Sequence, residues 1–221
     1  EFPKEPHPVD IAGHRGYFFG TCNVAYRKKV LDECGLKFWE RPTGEDMNLS
    51  YETRSRGYKF YFAPKAKVDH MHRADLKSLC KVWVTYGEAH APLIDKFVKK
   101  KGLEIIFQFL KKKPSVFVPF PLKGFIYIGD FHLMHIFAFL TVLSFIFAWF
   151  TLSLFWRILL GISIFGLIWF SFQFVKWNIG MEPKNKFLVW CKYKYLTNLN
   201  FIKGGLKGFK KTKVICIEPS F

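Results

Sequence analysis

The sequence predicts a partial α/β domain followed by an α-helical transmembrane hairpin with interfacial helices on its flanks. Three observations predict it. Residues 133–175 are 43 residues long and carry one formal charge, Arg157. Lysines crowd both ends of that stretch and leave its middle almost bare. Ahead of it, residues 10–90 alternate short apolar runs with helix-like segments, punctuated by glycine and proline. The boundaries that follow are 1–92 for the α/β part, 93–130 for a basic interfacial segment, 131–176 for the hairpin, and 177–221 for a basic tail at the membrane surface.

Composition removes several classes at once. The chain has 221 residues, of which half are apolar and 27 are Phe, so it is not a disordered polypeptide. Its five cysteines form no C-x-x-C pair, which argues against a disulfide scaffold or a structural zinc site and suits reduced thiols facing the cytosol. With 34 Lys+Arg against 17 Asp+Glu, and many aromatic residues, nucleic acid is one conceivable partner. The lysines bracket the apolar stretch, however, and no DNA- or RNA-binding motif is present, so nucleic acid is excluded as a partner.

Taken in order, residues 17–25 read as an apolar strand, and residues 27–34 as a short helix closed by Gly35. Thr43 can cap a helix running to Arg56, with Gly57 at its end. Residues 58–62 alternate as a strand, Pro64 punctuates, and residues 66–72 form another. Asp75 then caps a helix whose Leu76, Leu79, Cys80, Trp83 and Tyr86 make one apolar face. Further on, Leu103, Ile106, Phe107 and Leu110 share a helical face opposite Glu104, Gln108 and Lys111, which predicts an interfacial helix before Pro114. A helix packed on a soluble core is the alternative there.

A straight helix over the apolar stretch would be ~65 Å long, twice the ~30 Å hydrocarbon core, so it must fold back. The expected spans are 131–154 and 158–175, reversing near 151–157, with Trp149, Trp156, Trp169 and Trp177 near their ends. Eight lysines face one glutamate over residues 96–123, and ten face one over residues 176–213. This asymmetry predicts an integral membrane protein with the α/β part and both termini in the cytoplasm. The same lysines attract anionic headgroups by roughly 1 kcal/mol each near the surface.

Three features carry chemistry. Glu45 and Asp46 follow Gly44 at a helix start, where Thr43-x-x-Asp46 resembles a capping box and acids complement the helix dipole. The functional alternative is a carboxylate, Asp46, that takes a proton from an attacking hydroxyl. His70 and His72 alternate on a strand and share a face beside Asp69, either as metal ligands or as an ordinary surface or core pair. Gly20-Thr21-Cys22-Asn23 is a small-residue turn that Gly20 permits.

The series Gly20-Thr21-Cys22-Asn23-Val24-Ala25-Tyr26-Arg27-Lys28, Gly35, Gly44-Glu45-Asp46-Met47-Asn48-Leu49, Arg56-Gly57-Tyr58-Lys59 and Pro64-x-Ala66-x-Val68-x-His70-x-His72-Arg73 resembles, in order and spacing, the second half of the catalytic domain of family-two glycosyltransferases. The likeness covers about residues 13–90. The tail Tyr195-Leu196-x-Asn198-Leu199-x-Phe201-Ile202-x-Gly204-Gly205-Leu206-x-Gly208 resembles the segment after the membrane helices in membrane-bound members. The resemblance implies part of a GT-A-type fold and an inverting transfer from a nucleotide-sugar donor to a lipid-linked or membrane-proximal acceptor. It maps the acid pair to Glu45 and Asp46, with Asp46 as general base, and a divalent metal, Mg or Mn, to His70 and, less naturally, His72. It puts Gly20, Thr21, Cys22, Asn23 and Trp39 on the acceptor side.

Two departures shape the expectation. The Q-x-x-R-W signature of processive members is replaced by Lys81-Val82-Trp83-Val84-Thr85-Tyr86, which favours single addition. No Asp has an acidic residue two positions away, so the D-x-D metal motif is absent. The nucleotide-binding half is therefore expected in a companion chain or a missing N-terminal half, which would also supply most of the metal ligands. A non-catalytic membrane-anchoring or scaffolding subunit is the competing function. A channel piece is disfavoured, because the spans hold almost no ionisable groups.

Overall fold

The computed structural model describes residues 9–11, 14–16, 20–33, 35–41, 43–61, 63, 65–69, 71, 73, 75–107, 109, 114–179 and 184–217. Most of these residues are helical. A short antiparallel pair, β1 (Val9–Ile11) and β2 (His14–Gly16), precedes α1 (Lys28–Glu33), α2 (Glu45–Ser55) and α3 (Leu76–Phe97). Then come β3 (Gly102–Phe107), β4 (Ser115–Val118) and β5 (Lys123–Ile128). The long helices α4 (Asp130–Thr151), α5 (Leu154–Ile179) and α6 (Phe187–Thr212) follow, and β6 (Ile215–Ile217) closes the described chain.

The main sheet has the order β4-β3-β5-β6 and is mixed: β4 is antiparallel to β3, while β3, β5 and β6 are mutually parallel along their pairings. Phe125 and Tyr127 alternate inward from β5 and meet edge to face at 5.0 Å. Ile106 of β3, Cys216 of β6 and Val214 join them against Ala91, Leu93 and Ile94 of α3 and Met47 of α2. Helices plus a small mixed sheet is thus the observed class. The sheet draws its strands from residues 102–128 and from the tail, and none from the described residues of 58–72.

Small residues set the spacing of α3 and α6. A Cβ on Gly87 would lie 2.0 Å from the Phe201 carbonyl oxygen, and one on Gly204 would lie 2.1 Å from the Val84 carbonyl oxygen. The two backbones therefore touch. Gly205 faces the other way, where a Cβ would meet the Cys216 carbonyl oxygen at 2.1 Å, so the same helix seats β6. Lys213, with φ 60, makes the left-handed turn between them.

Helices α4 and α5 are long and apolar enough to cross a membrane. Their outer surface is exposed: Phe139, Trp149, Phe150 and Phe165 are each at least two-thirds accessible. Between them, Ser144 and Ser163 are fully buried and 3.4 Å apart, and Gly166 admits the Phe137 ring. The reversal is tighter than the predicted 151–157, because Leu152 takes φ 49 and α5 starts at Leu154.

Several sequence expectations are corrected. The helix expected over 103–110 is not formed at 103–107: residues 102–107 are β3, because Ile105 and Ile106 suit a strand and the short apolar run Ile105–Phe107 fits either period until a partner is found. Within 17–25, the described residues make a 3-10 turn, Thr21–Asn23, then extended backbone at Val24 with no ladder partner. Residues 58–61 and 66–69 are likewise irregular rather than strand. Extended backbone becomes a strand only where another supplies the ladder. Thr43 does not cap α2: Gly44 holds that position with φ 84, while the Thr43 hydroxyl donates to the Thr85 carbonyl. Asp75 does cap α3, accepting from the Ser78 N–H at 2.8 Å. The buried face of α3 lies further along than predicted, at Gly87, His90, Ala91, Leu93 and Ile94, whereas Leu76 and Tyr86 are exposed.

Candidate functional site

The start of α2 is fixed before its acids are placed. Gly44 is buried, and a Cβ there would lie 3.3 Å from Ala89 and 3.4 Å from Leu93, so α2 begins directly on α3. From the far side, Lys96 of α3 reaches Glu52 at 2.7 Å and the Asn48 side-chain oxygen at 2.7 Å. These contacts leave little freedom in where the first turn points.

Within that turn, the Asp46 Oδ1 accepts the Met47 N–H at 2.8 Å, and the carboxylate also accepts the Thr21 N–H. A Cβ on Gly20 would lie 4.0 Å from the Asp46 Oδ2 and 3.4 Å from the Cys22 Sγ. The 20–23 turn therefore rests on the carboxylate. Burial pushes the Asp46 carboxyl above the usual carboxylate range; the Met47 N–H pulls it back, the Glu45 charge raises it again and the Thr21 N–H lowers it. Glu45 keeps one oxygen, Oε2, buried without a hydrogen-bond partner among the described residues.

Sequence reasoning missed Tyr26. Its hydroxyl lies 3.1 Å from the Ser50 hydroxyl on the next turn of α2. Burial raises its phenol above the usual value, the Ser50 contact lowers it and the Asp46 charge raises it. The signal lay in view, because Tyr26 ends the same Gly20–Tyr26 run that supplies the turn. Asn23 closes the other side by donating its side-chain N–H to the Ala66 carbonyl at 2.9 Å.

A cavity of about 880 Å³ opens beside this cluster, with Thr21, Cys22, Asn23, Tyr26, Arg27 and Lys59 on its wall. Asp46, Glu45 and Trp39 are not on the wall, but Thr21 and Tyr26, which are, both neighbour the Asp46 carboxylate. Trp39 sits elsewhere, packed on the core, with the Arg41 guanidinium 4.3 Å above its ring and Lys96 at 5.6 Å. His70 and His72 lie outside the described residues. Among the described residues no three His, Cys, Asp or Glu side chains gather as a metal-ligand set. Cys22, Cys80, Cys191 and Cys216 are free thiols.

No family model, no curated protein and no solved structure matches the chain.

Proposed function

We propose that this chain is the acceptor-side and membrane-anchoring part of an inverting glycosyltransferase, moving a sugar from a nucleotide-sugar donor to a lipid-linked or membrane-proximal acceptor. The observation that carries the reading is the Asp46 carboxylate: held in the first turn of α2 against the 20–23 turn, with its proton affinity raised by burial. A base of that kind is more basic than a solvated carboxylate.

In the proposed step, the Asp46 Oδ2 takes the proton of the acceptor hydroxyl. The freed oxygen pair bonds to the anomeric carbon from the face opposite the leaving group, and the bond from that carbon to the nucleoside diphosphate breaks with its electrons on the diphosphate. Tyr26 and Thr21, which line the cavity and neighbour Asp46, orient the acceptor, while Glu45 adds local negative charge that keeps Asp46 basic. The divalent ion that the resemblance implies is assigned mostly to a companion segment carrying the D-x-D motif, with His70 and His72 as this chain's candidate ligands, and no step is drawn through it. The lysine-rich flanks of α4 and α5 support a cytoplasmic location for the site and for both ends of the hairpin.

The test is sugar incorporation into extractable lipid by membranes holding the full protein and its companion, from radiolabelled UDP-glucose, UDP-N-acetylglucosamine and GDP-mannose. Asp46→Asn is expected to lower incorporation at least ~100-fold while insertion and assembly persist. Glu45→Gln should cost less. Unchanged incorporation in Asp46→Asn would reject the catalytic assignment and leave the anchoring-subunit reading.

A further inference from the structure

Strands β3 and β5 run parallel in a register that sets Phe107 opposite Ile128, two residues before Asp130 begins α4. The end of β3 is therefore level with the point where the hairpin starts its apolar course. Just past it, the Phe109 ring packs edge-on against Phe170 of α5 with centroids 6.2 Å apart, and Phe107 backs it at 6.0 Å. Phe170 is not near the rim. It lies six residues before Lys176, ~9 Å along the axis, and stacks at 5.5 Å on Phe137, which is seven residues past Asp130, ~10 Å along α4.

Strand β4 continues this apolar surface. All four of its residues are exposed, including Val116, Phe117 and Val118, and Phe120 follows them. It pairs with β3 alone, so its outer edge is unpaired among the described strands. An exposed apolar edge in water is an aggregation hazard unless something covers it.

We infer that the β3–β4 hairpin is a membrane wedge: Phe109 enters the bilayer beside α5, and β4 lies in the headgroup layer with its valines toward the acyl boundary. The occupant is lipid because Phe109 rests on a ring already ~10 Å inside the span, a depth typical of interfacial elements. The strand itself stays at the surface, where water and headgroups satisfy its free edge, since an open edge is not tolerated in the hydrocarbon. The wedge rests on α4 and α5 crossing the bilayer and is independent of the transferase chemistry.

The full chain is reconstituted in vesicles of phosphatidylcholine and phosphatidylglycerol with the photo-crosslinker p-benzoylphenylalanine in place of Phe109 or, separately, Val116. Phe139, exposed on α4, is the control for the span. After illumination, phospholipid adducts are expected at 109 and 116 as at 139, and none at Tyr61, which is exposed but in the α/β part. Adducts with lipid at 139 and only with polypeptide, or none, at both 109 and 116 would overturn the wedge while leaving the span intact. Because Val116 is exposed, its replacement keeps the test decisive should the Phe109 variant fail to fold.

Discussion

Replacing Gly204 with Ala tests whether α3 and α6 are held in backbone contact. The added Cβ would lie 2.1 Å from the Val84 carbonyl oxygen, 2.8 Å from the Glu88 nitrogen and 2.9 Å from the Gly87 Cα. An ordinary carbon–oxygen contact is about 3.3–3.6 Å, so the overlap exceeds ~1 Å, and the atoms met are backbone that cannot rotate aside. The helices must part, opening the layer where Phe201 packs on His90 and Trp83. Overpacking of this kind costs about 3 kcal/mol or more. Alanine recovers about 1 kcal/mol of helix propensity, leaving a net loss of ~2 kcal/mol or more. For a chain of this length that is a fall of roughly 4–8 °C in the thermal midpoint. The assay is size-exclusion chromatography of heated, detergent-solubilised protein. Gly161→Ala is the control, because nothing lies within 4 Å of its added Cβ and only the propensity gain remains. A Gly204→Ala midpoint equal to or above that of Gly161→Ala would refute the contact.

Three further outcomes follow from the structure. Tyr195→Phe removes the 3.0 Å hydrogen bond from its hydroxyl to the His135 Nε2, which ties α6 to α4, and should cost about 1 kcal/mol in the same melt. Lys194 is half-buried, and burial lowers its ammonium to about 8 from 10.5. Between those values the unfolded chain binds more protons, so stability should rise with pH from about 8 to 10.5, and Lys194→Met should lose that slope. Ser153→Cys, at the reversal, should react with a membrane-impermeant maleimide on intact cells, whereas the exposed native Cys22 should react only after permeabilisation. Labelling of Cys22 in intact cells would invert the proposed orientation.

The two helices long and apolar enough to cross a membrane were legible because composition decides them: residues 133–175 carry a single formal charge. Helix ends were legible where a single residue acts, as with the Asp75 cap and Gly35 and Gly57 at positive φ. What the local pattern lacked was the choice of partner. Leu103, Ile105, Ile106 and Phe107 can make a helix face or a strand until β5 and β4 line up beside them. β6 joins β5 only because α6 carries the chain back, and α6 is placed by Gly87, Gly204 and Gly208, residues without the apolar bulk that periodicity detects. At the candidate site, Asp46 and the 20–23 turn were both singled out, and the structure brings them together. The raised proton affinity of Asp46 was not legible, since it comes from burial under a turn more than twenty residues away. Tyr26 was missed for the same reason: only the packing of its hydroxyl on Ser50 brings it close to that charge.

The most direct measurement is the rate of sugar transfer against pH, in wild type and in Asp46→Asn. Asp46 must be ionised to accept the proton, so the wild-type rate should fall as pH drops through a value above the usual carboxylate range. Asp46→Asn should be at least ~100-fold slower at neutral pH, should lack that acid limb, and should remain as stable as wild type, because burial disfavours the ionised carboxylate that it replaces. A variant with near wild-type transfer and the same acid limb would contradict the assignment of Asp46 as the base.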